Sequence, residues 1–352
     1  MVRLMRRAGS LAGRQPRIAA MAATVAVLTV GGWALALDAS AASPALLAAF
    51  LLTYGLGLRH GFDADHIAAI DNATRLLASA GRPAVTAGFF FAVGHALAVL
   101  IGTLVVVGAI WMLDGAASGI YREVGGLIGT GFAAVFLLGL GIINVIAARD
   151  IVRAFRAGQD AVAAQAASGG LIARLLAPAL RLVRAGWHML FVGLVFGLGI
   201  GSASEVAFLA LTGEEARNAG LGLVLLFPLL FLAGMILVDT IDGVVMARAY
   251  DWADRDPARK LRYNLIVTLM SGVAALLIGA LKLGDFAAAL LPLGDLPLAI
   301  LAAANDGFAA IGVTLIAAFV FAWAVSGALY RRARPPVAVL ANPVKMEFEP
   351  CS

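Results

Sequence analysis

Inside one apolar stretch the chain places Arg59-His60-Gly61-Phe62-Asp63-Ala64-Asp65-His66, so that five titratable groups occupy eight consecutive positions. An ionised side chain at the bilayer centre costs about 2.5–3.5 kcal/mol even on the lenient insertion scale. Such a cluster persists where its members line a protein cavity and neutralise one another or bind a charged guest. The chain has only four histidines, and two of them stand here beside two carboxylates. Imidazole nitrogen with carboxylate oxygen is a donor set for a divalent transition metal. Helical steps of about 100° put His60, Asp63 and His66 within an arc of about 120°, while Asp65 points away from it. One face then offers two nitrogens and one oxygen, a set suited to nickel, cobalt, zinc or ferrous iron, with Arg59 and Asp65 behind it to orient an imidazole or balance charge. The plainer alternative is a buried ion-pair network that locks helices together.

Three more clusters lie in apolar segments. Phe91-Ala92-Val93-Gly94-His95 carries a histidine near the middle of a span, with Gly94 allowing a close backbone approach. Beside the first cluster, His95 reads as a third imidazole ligand. Gly197, Gly199 and Gly201 precede Ser202-Ala203-Ser204-Glu205. Alternating glycines weaken a helix, and a broken helix is tolerated at membrane depth where it lines a cavity. Glu205 beyond the break needs a partner, and a passing cation would serve. Asp239, Thr240 and Asp242 follow Gly234-Met235. Asp239 and Asp242 are i, i+3 neighbours whose repulsion a proton or a cation relieves, which makes them candidates for transit. His188 reads as an interfacial residue.

The elements that must hold these groups are membrane spans. The chain of 352 residues is 62% hydrophobic and 13% charged, about half the charged share of a soluble domain. Apolar windows of spanning length fall at about 18–37, 47–70, 84–107, 125–147, 188–211, 223–247, 264–283 and 308–330. Of the 26 Lys/Arg, 22 fall in the N-terminal segment, the C-terminal tail and the loops after windows two, four and six. Arg122, Arg217 and Lys282 fall in the alternate loops, and Arg59 is intramembrane. By the positive-inside rule this predicts an all-α integral membrane protein of about eight spans with both termini cytoplasmic. The layout is a tail over residues 1–17, one transmembrane domain over 18–330 with a cytoplasmic loop at 148–187, and a second tail over 331–352. The basic segments read as orientation signals facing lipid rather than as a nucleic-acid surface. The first window exceeds the usual signal-peptide core and reads as a retained span. The stretch 286–304, broken by Pro292, Gly294, Asp295 and Pro297, reads as an external loop near the interface.

Laying residues 57–105 over 197–245 without gaps pairs Gly57 with Gly197, Gly61 with Gly201, Phe91 with Phe231 and Gly94 with Gly234, and sets Asp65 on Glu205. Windows two and three would then recur as windows five and six, inverted in the bilayer. Such a repeat places a substrate site between its copies, near the midplane.

Together these clusters resemble the nickel/cobalt transporter family, NiCoT. Its second-helix R-H-A-x-D-A-D-H-I reads here Arg59 to Ile67 with Gly61 at the alanine, its F-x-x-G-H reads Phe91 to His95, and its G-M-x-x-x-D-T-x-D-G reads Gly234 to Gly243. One departure stands out: where the family pattern L-G-F-D-T-A-T-E has its aspartate, this chain has Gly201. The resemblance implies a permease of the bacterial cytoplasmic membrane that takes up Ni²⁺ and/or Co²⁺, with His60, Asp63, His66 and His95 as ligands. Arg59, Asp65, Ser202, Ser204, Glu205, Asp239, Thr240 and Asp242 would support the site or the transit path. The metal is then substrate, and no resident cofactor is expected.

Other classes fit less well. No nucleotide-binding loop is present, so ATP hydrolysis by this chain is not expected. The single cysteine, Cys351, excludes an intramolecular disulfide and a thiolate cluster. The spacing His60-x5-His66 is wrong for a metallohydrolase H-E-x-x-H, in which two histidines four apart share one metal. Metal export is the closest rival, yet the loop at 148–187 lacks a histidine with which to capture cytoplasmic metal. The sequence sets no oligomeric state.

Overall fold

The computed structural model describes residues 14–41, 43–113, 116–156, 183–198, 203–216, 220–253, 257–292 and 294–332, and every regular element among them is helical. In chain order these are α1 (Arg14–Ala39), α2 (Pro44–Gly61), α3 (Ala64–Ser79), α4 (Ala87–Leu113) and α5 (Ala116–Arg156). A 3₁₀ turn (Gly186–His188) leads into α6 (Met189–Phe196), followed by α7 (Ala203–Ala216), α8 (Leu221–Val224), α9 (Leu226–Ala253) and α10 (Pro257–Leu290). The last two are α11 (Asp295–Asp306) and α12 (Phe308–Arg332).

Five of these segments are long and apolar enough to cross a membrane, in α1, α4, α5, α8–α9 and α10. The pairs α2/α3, bent by 47°, and α11/α12, bent by 58°, raise the number to seven. The chain is an all-α membrane protein. Its fifth expected window is divided between α6 and α7, neither long enough to cross alone, and residues 199–202 between them lie outside the described residues.

Three expectations need correction. The second window is two half-helices, because Phe62 and Asp63 leave the helix and Asp63 turns extended at φ −62°, ψ 140° before α3 begins. The stretch expected to be an external loop contains α11. Pro297 falls in its first turn, where a missing N–H removes no helical bond, and none of its residues is buried. Lys282 lies inside α10, since that helix runs on to Leu290.

Glycines set the helix packing, as expected where lipid removes the hydrophobic drive between helices. A Cβ at Gly57 would stand 2.0 Å from Phe231 O, and one at Gly193 would stand 1.9 Å from Phe91 O. One turn on, Gly61 abuts Met235 O and Val238 Cβ, while Gly197 abuts His95 O and Ala98 Cβ. In return Gly234 abuts Tyr54 O and Leu58 N, while Gly94 abuts Leu190 O and Leu194 N. Each contact between α2 and α9 therefore has a counterpart between α6 and α4. In both pairs the helices run parallel, whereas Gly88 against Gly243 at one end and Val107 against Val224 at the other make α4 antiparallel to α8–α9. The repeat is present and inverted, but its register differs from the gapless one: Gly57 corresponds to Gly193 and Gly61 to Gly197, one turn earlier than expected. The second copy has four more residues between Gly197 and Glu205 than the first has between Gly61 and Asp65, so that Asp65 and Glu205 correspond again, each in the first turn of its half-helix.

Candidate metal centre

Three imidazoles converge where the two copies meet. His60 comes from the last turn of α2, His66 from the first turn of α3, and His95 from the middle of α4. All three are buried, and each offers one ring nitrogen such that the three lie within 4.8 Å of one another. His60 Nε2 lies 3.1 Å from His95 Nε2. Glu205 Oε1, from the first turn of α7, lies 3.5 Å from His60 Nε2 and 3.4 Å from His95 Nε2. Ligand atoms held about 2.1 Å from one ion are about 3.0 Å apart at 90° and about 3.4 Å apart at the tetrahedral angle. The triangle of two imidazole nitrogens and one carboxylate oxygen has that size.

Carboxylates behind the rings fix which nitrogen faces inward. His60 Nδ1–H donates to Asp63 Oδ2 at 2.9 Å, and His66 Nδ1–H donates to Asp239 Oδ2 at 3.2 Å. Each leaves its Nε2 for a metal, the arrangement by which metal-binding histidines are usually oriented. Asp63, expected as a ligand, thus sits on the other nitrogen of His60. It can do so because it stands in the N-cap of α3 without using its side chain to cap the helix. His95 Nδ1 is buried with no hydrogen-bond partner among the described residues. Aromatic rings wall the cluster: Phe91 lies edge-on to His66 at 5.0 Å, and Phe231 lies 5.4 Å from the His60 ring.

The supporting residues divide. Arg59 Nη1 donates to Ser204 Oγ at 3.2 Å, tying the end of α2 to the start of α7. Asp65 Oδ2 receives the Lys282 ammonium at 2.8 Å, and both line one cavity with His60, His66, His95 and Glu205. Thr240 Oγ1 and both carboxylate oxygens of Asp242 are buried without a hydrogen-bond partner among the described residues. Ser202 and Gly201 lie outside the described residues. His188 accepts the Arg184 backbone N–H at 3.2 Å, apart from the cluster.

Sequence reasoning missed two groups. Lys282 was assigned to a loop by its place at the end of an apolar window, although a lysine within reach of that window was itself a signal. Further along α3, Asp71 is fully buried and accepts from Tyr250 Oη and Ser271 Oγ, each at 2.5 Å. Asn72 pairs there with Asn144, and Arg75 donates to Thr268 Oγ1 at 3.3 Å. The polar face of α3 thus continues beyond the point at which the apolar window ended.

A family model described as high-affinity nickel-transport protein matches residues 46–329. The chain belongs to this family. A high-affinity nickel transport protein of Cupriavidus necator is 37% identical over 326 residues, covering 90% of this chain and 93% of that one. The hydrogenase nickel incorporation protein HupN of Bradyrhizobium diazoefficiens is 40% identical over 311 residues, 85% of this chain and 80% of that one. The cobalt transport protein NhlF of Rhodococcus rhodochrous is 39% identical over 336 residues, 89% and 91% of the two chains. No solved structure matches this chain. The matched span of the nickel-transport family contains every described residue of the cluster, from Arg59 to Lys282.

Proposed function

We propose that this membrane protein is a permease that takes up Ni²⁺ and/or Co²⁺ across the bacterial cytoplasmic membrane, with the ion as substrate. The ion is held by the Nε2 atoms of His60, His66 and His95 together with Glu205. The observation that carries this reading is the triangle of His60 Nε2, His95 Nε2 and Glu205 Oε1, with edges of 3.1, 3.5 and 3.4 Å. Relatives named for nickel and for cobalt transport support the choice of metals.

Charge supports a divalent guest. Asp63, Asp65, Glu205 and Asp239 stand around the imidazoles, together with Arg59 and Lys282. The acids in these contacts outnumber the bases, a deficit of positive charge that an entering divalent ion reduces. In a low-dielectric site an uncompensated pair of charges is costly, so dehydration of the ion is offset where this deficit sits. Membrane potential supplies inward drive: two charges across 100 mV correspond to about 4.6 kcal/mol.

Radiolabelled nickel and cobalt uptake into cells tests the reading. His60→Ala, His66→Ala and His95→Ala should each reduce uptake to background at normal protein levels. Uptake at the unmodified rate in any of the three would end the assignment.

A further inference from the structure

Lys282 enters the reading above only through its charge, yet its surroundings are specific. Its ammonium is 2.8 Å from Asp65 Oδ2, while Asp65 Oδ1 is occupied by the His66 backbone N–H at 3.1 Å. The lysine nitrogen stands 4.7 Å from the centre of the Phe308 ring on α12. A second anion lies one turn along α10: Asp285, which accepts from Asn305 Nδ2 at 3.0 Å and acts on the charge of Lys282. The ammonium therefore has Asp65 as its partner in the cavity, the Phe308 ring of α12 beside it, and a second carboxylate one turn along its own helix.

We propose that Lys282 is a tethered cation that holds the place of the transported ion on Asp65 and is displaced towards Asp285 when the ion enters. This rests on reading the three histidines and Glu205 as the ion's ligands. With the cavity empty, Asp65 is a buried carboxylate, and the ammonium compensates it. With a divalent ion among the imidazoles, the same ammonium faces twice its own charge across the cavity that both line, and the pair that stabilised the ion-free state opposes the loaded one. A lysine on a flexible four-carbon stem can leave, because Asp285 offers a second counter-ion and Phe308 already faces the ammonium. Loading releases Asp65 to the ion, and return of the ammonium to Asp65 drives the ion out. The charge around His66 then changes little over a cycle, which favours turnover over tight retention.

The rival role is a permanent brace between α3 and α10, and it predicts the opposite sign. Nickel titration of the full chain in lipid nanodiscs, paired with nickel uptake into vesicles at fixed potential, separates the two. For Lys282→Met, displacement predicts a dissociation constant lower by about tenfold and turnover lower by about tenfold, since the competitor that expels the ion is gone. A brace predicts binding unchanged or weakened, and either result overturns the proposal. If that variant fails to fold, Lys282→Arg decides. A guanidinium grips Asp65 through two bonds and is harder to displace, so nickel binding should weaken about threefold or more in a protein of normal melting temperature. Unchanged affinity there also overturns it. His60→Ala in the same titration keeps the two readings apart. Loss of binding in His60→Ala with no tightening in Lys282→Met removes the lysine's role alone, whereas retained binding in His60→Ala removes the site itself.

Discussion

Asp63 serves the site twice through different atoms: its extended backbone ends the gap between α2 and α3, and its carboxylate accepts His60 Nδ1–H at 2.9 Å. An aspartate that orients an imidazole differs measurably from one that binds metal. Asp63→Asn keeps an acceptor for Nδ1–H but loses the charge behind the ring. The apparent affinity for nickel should fall by about tenfold, within the range for such outer partners, with uptake still measurable at high nickel. Asp63→Ala removes the acceptor as well and should cost closer to 100-fold. Complete loss of uptake in Asp63→Asn at every concentration would return this residue to the ligand set.

Glu205 is the converse case. The family resemblance placed it among supporting residues, and the structure sets its Oε1 between two inward-facing nitrogens. Glu205→Gln is nearly isosteric, so helix packing around the site should survive. It replaces a hard anionic donor by a neutral one and leaves the carboxylates around the imidazoles one charge short of what a divalent ion requires. Nickel affinity should fall by more than the roughly 10–100-fold of an outer-partner change. Isothermal titration on Glu205→Gln checks this, and a shift under threefold would show that Glu205 only lines the cavity.

Protons compete with metal for imidazole nitrogen. A free imidazole titrates near about 6.5, and only its neutral form ligates. Lowering external pH at clamped potential should therefore raise the KM for nickel, because a ring that takes up a proton is lost as a ligand. Maximal rate at saturating nickel should change less, since the ion itself excludes protons from the rings. A KM that does not change with pH over the whole range in which the protein stays folded would argue against imidazole ligation.

Much of this molecule was legible in the residues. Intramembrane charge is costly enough that Arg59–His66, His95, Glu205 and Asp239 had to belong to one site, and the structure gathers them. Roles within the site were less legible. Helical periodicity assumes an unbroken helix, so it put Asp63 on one face with His60 and His66, whereas the break at Phe62–Asp63 sends its carboxylate behind the ring. Window averaging hid Lys282 for a related reason: one charge at the end of an apolar segment looks like the start of a loop. The repeat was visible but misregistered by one turn, because a shift of four residues returns a glycine to almost the same helix face.

That register gives a prediction of its own. Gly57 and Gly193 occupy equivalent places, each pressed on a phenylalanine carbonyl oxygen, at 2.0 and 1.9 Å from where a Cβ would be. A methyl group at either position must push two helix backbones apart, and overpacking of this kind costs about 1–3 kcal/mol. Gly57→Ala and Gly193→Ala should therefore destabilise the protein by similar amounts, read as lowered melting temperatures in detergent, and both should weaken nickel binding by moving His60 and His95 apart. Gly55 supplies the control, since nothing lies within 4 Å of a Cβ there. Gly55→Ala should be neutral or stabilising by up to about 1 kcal/mol through helix propensity alone. Under the gapless register the partner of Gly57 would be Gly197, which meets His95 O at the looser 2.7 Å. A melting-temperature loss in Gly197→Ala that matches Gly57→Ala, with Gly193→Ala behaving like Gly55→Ala, would overturn the pairing of the two copies described here.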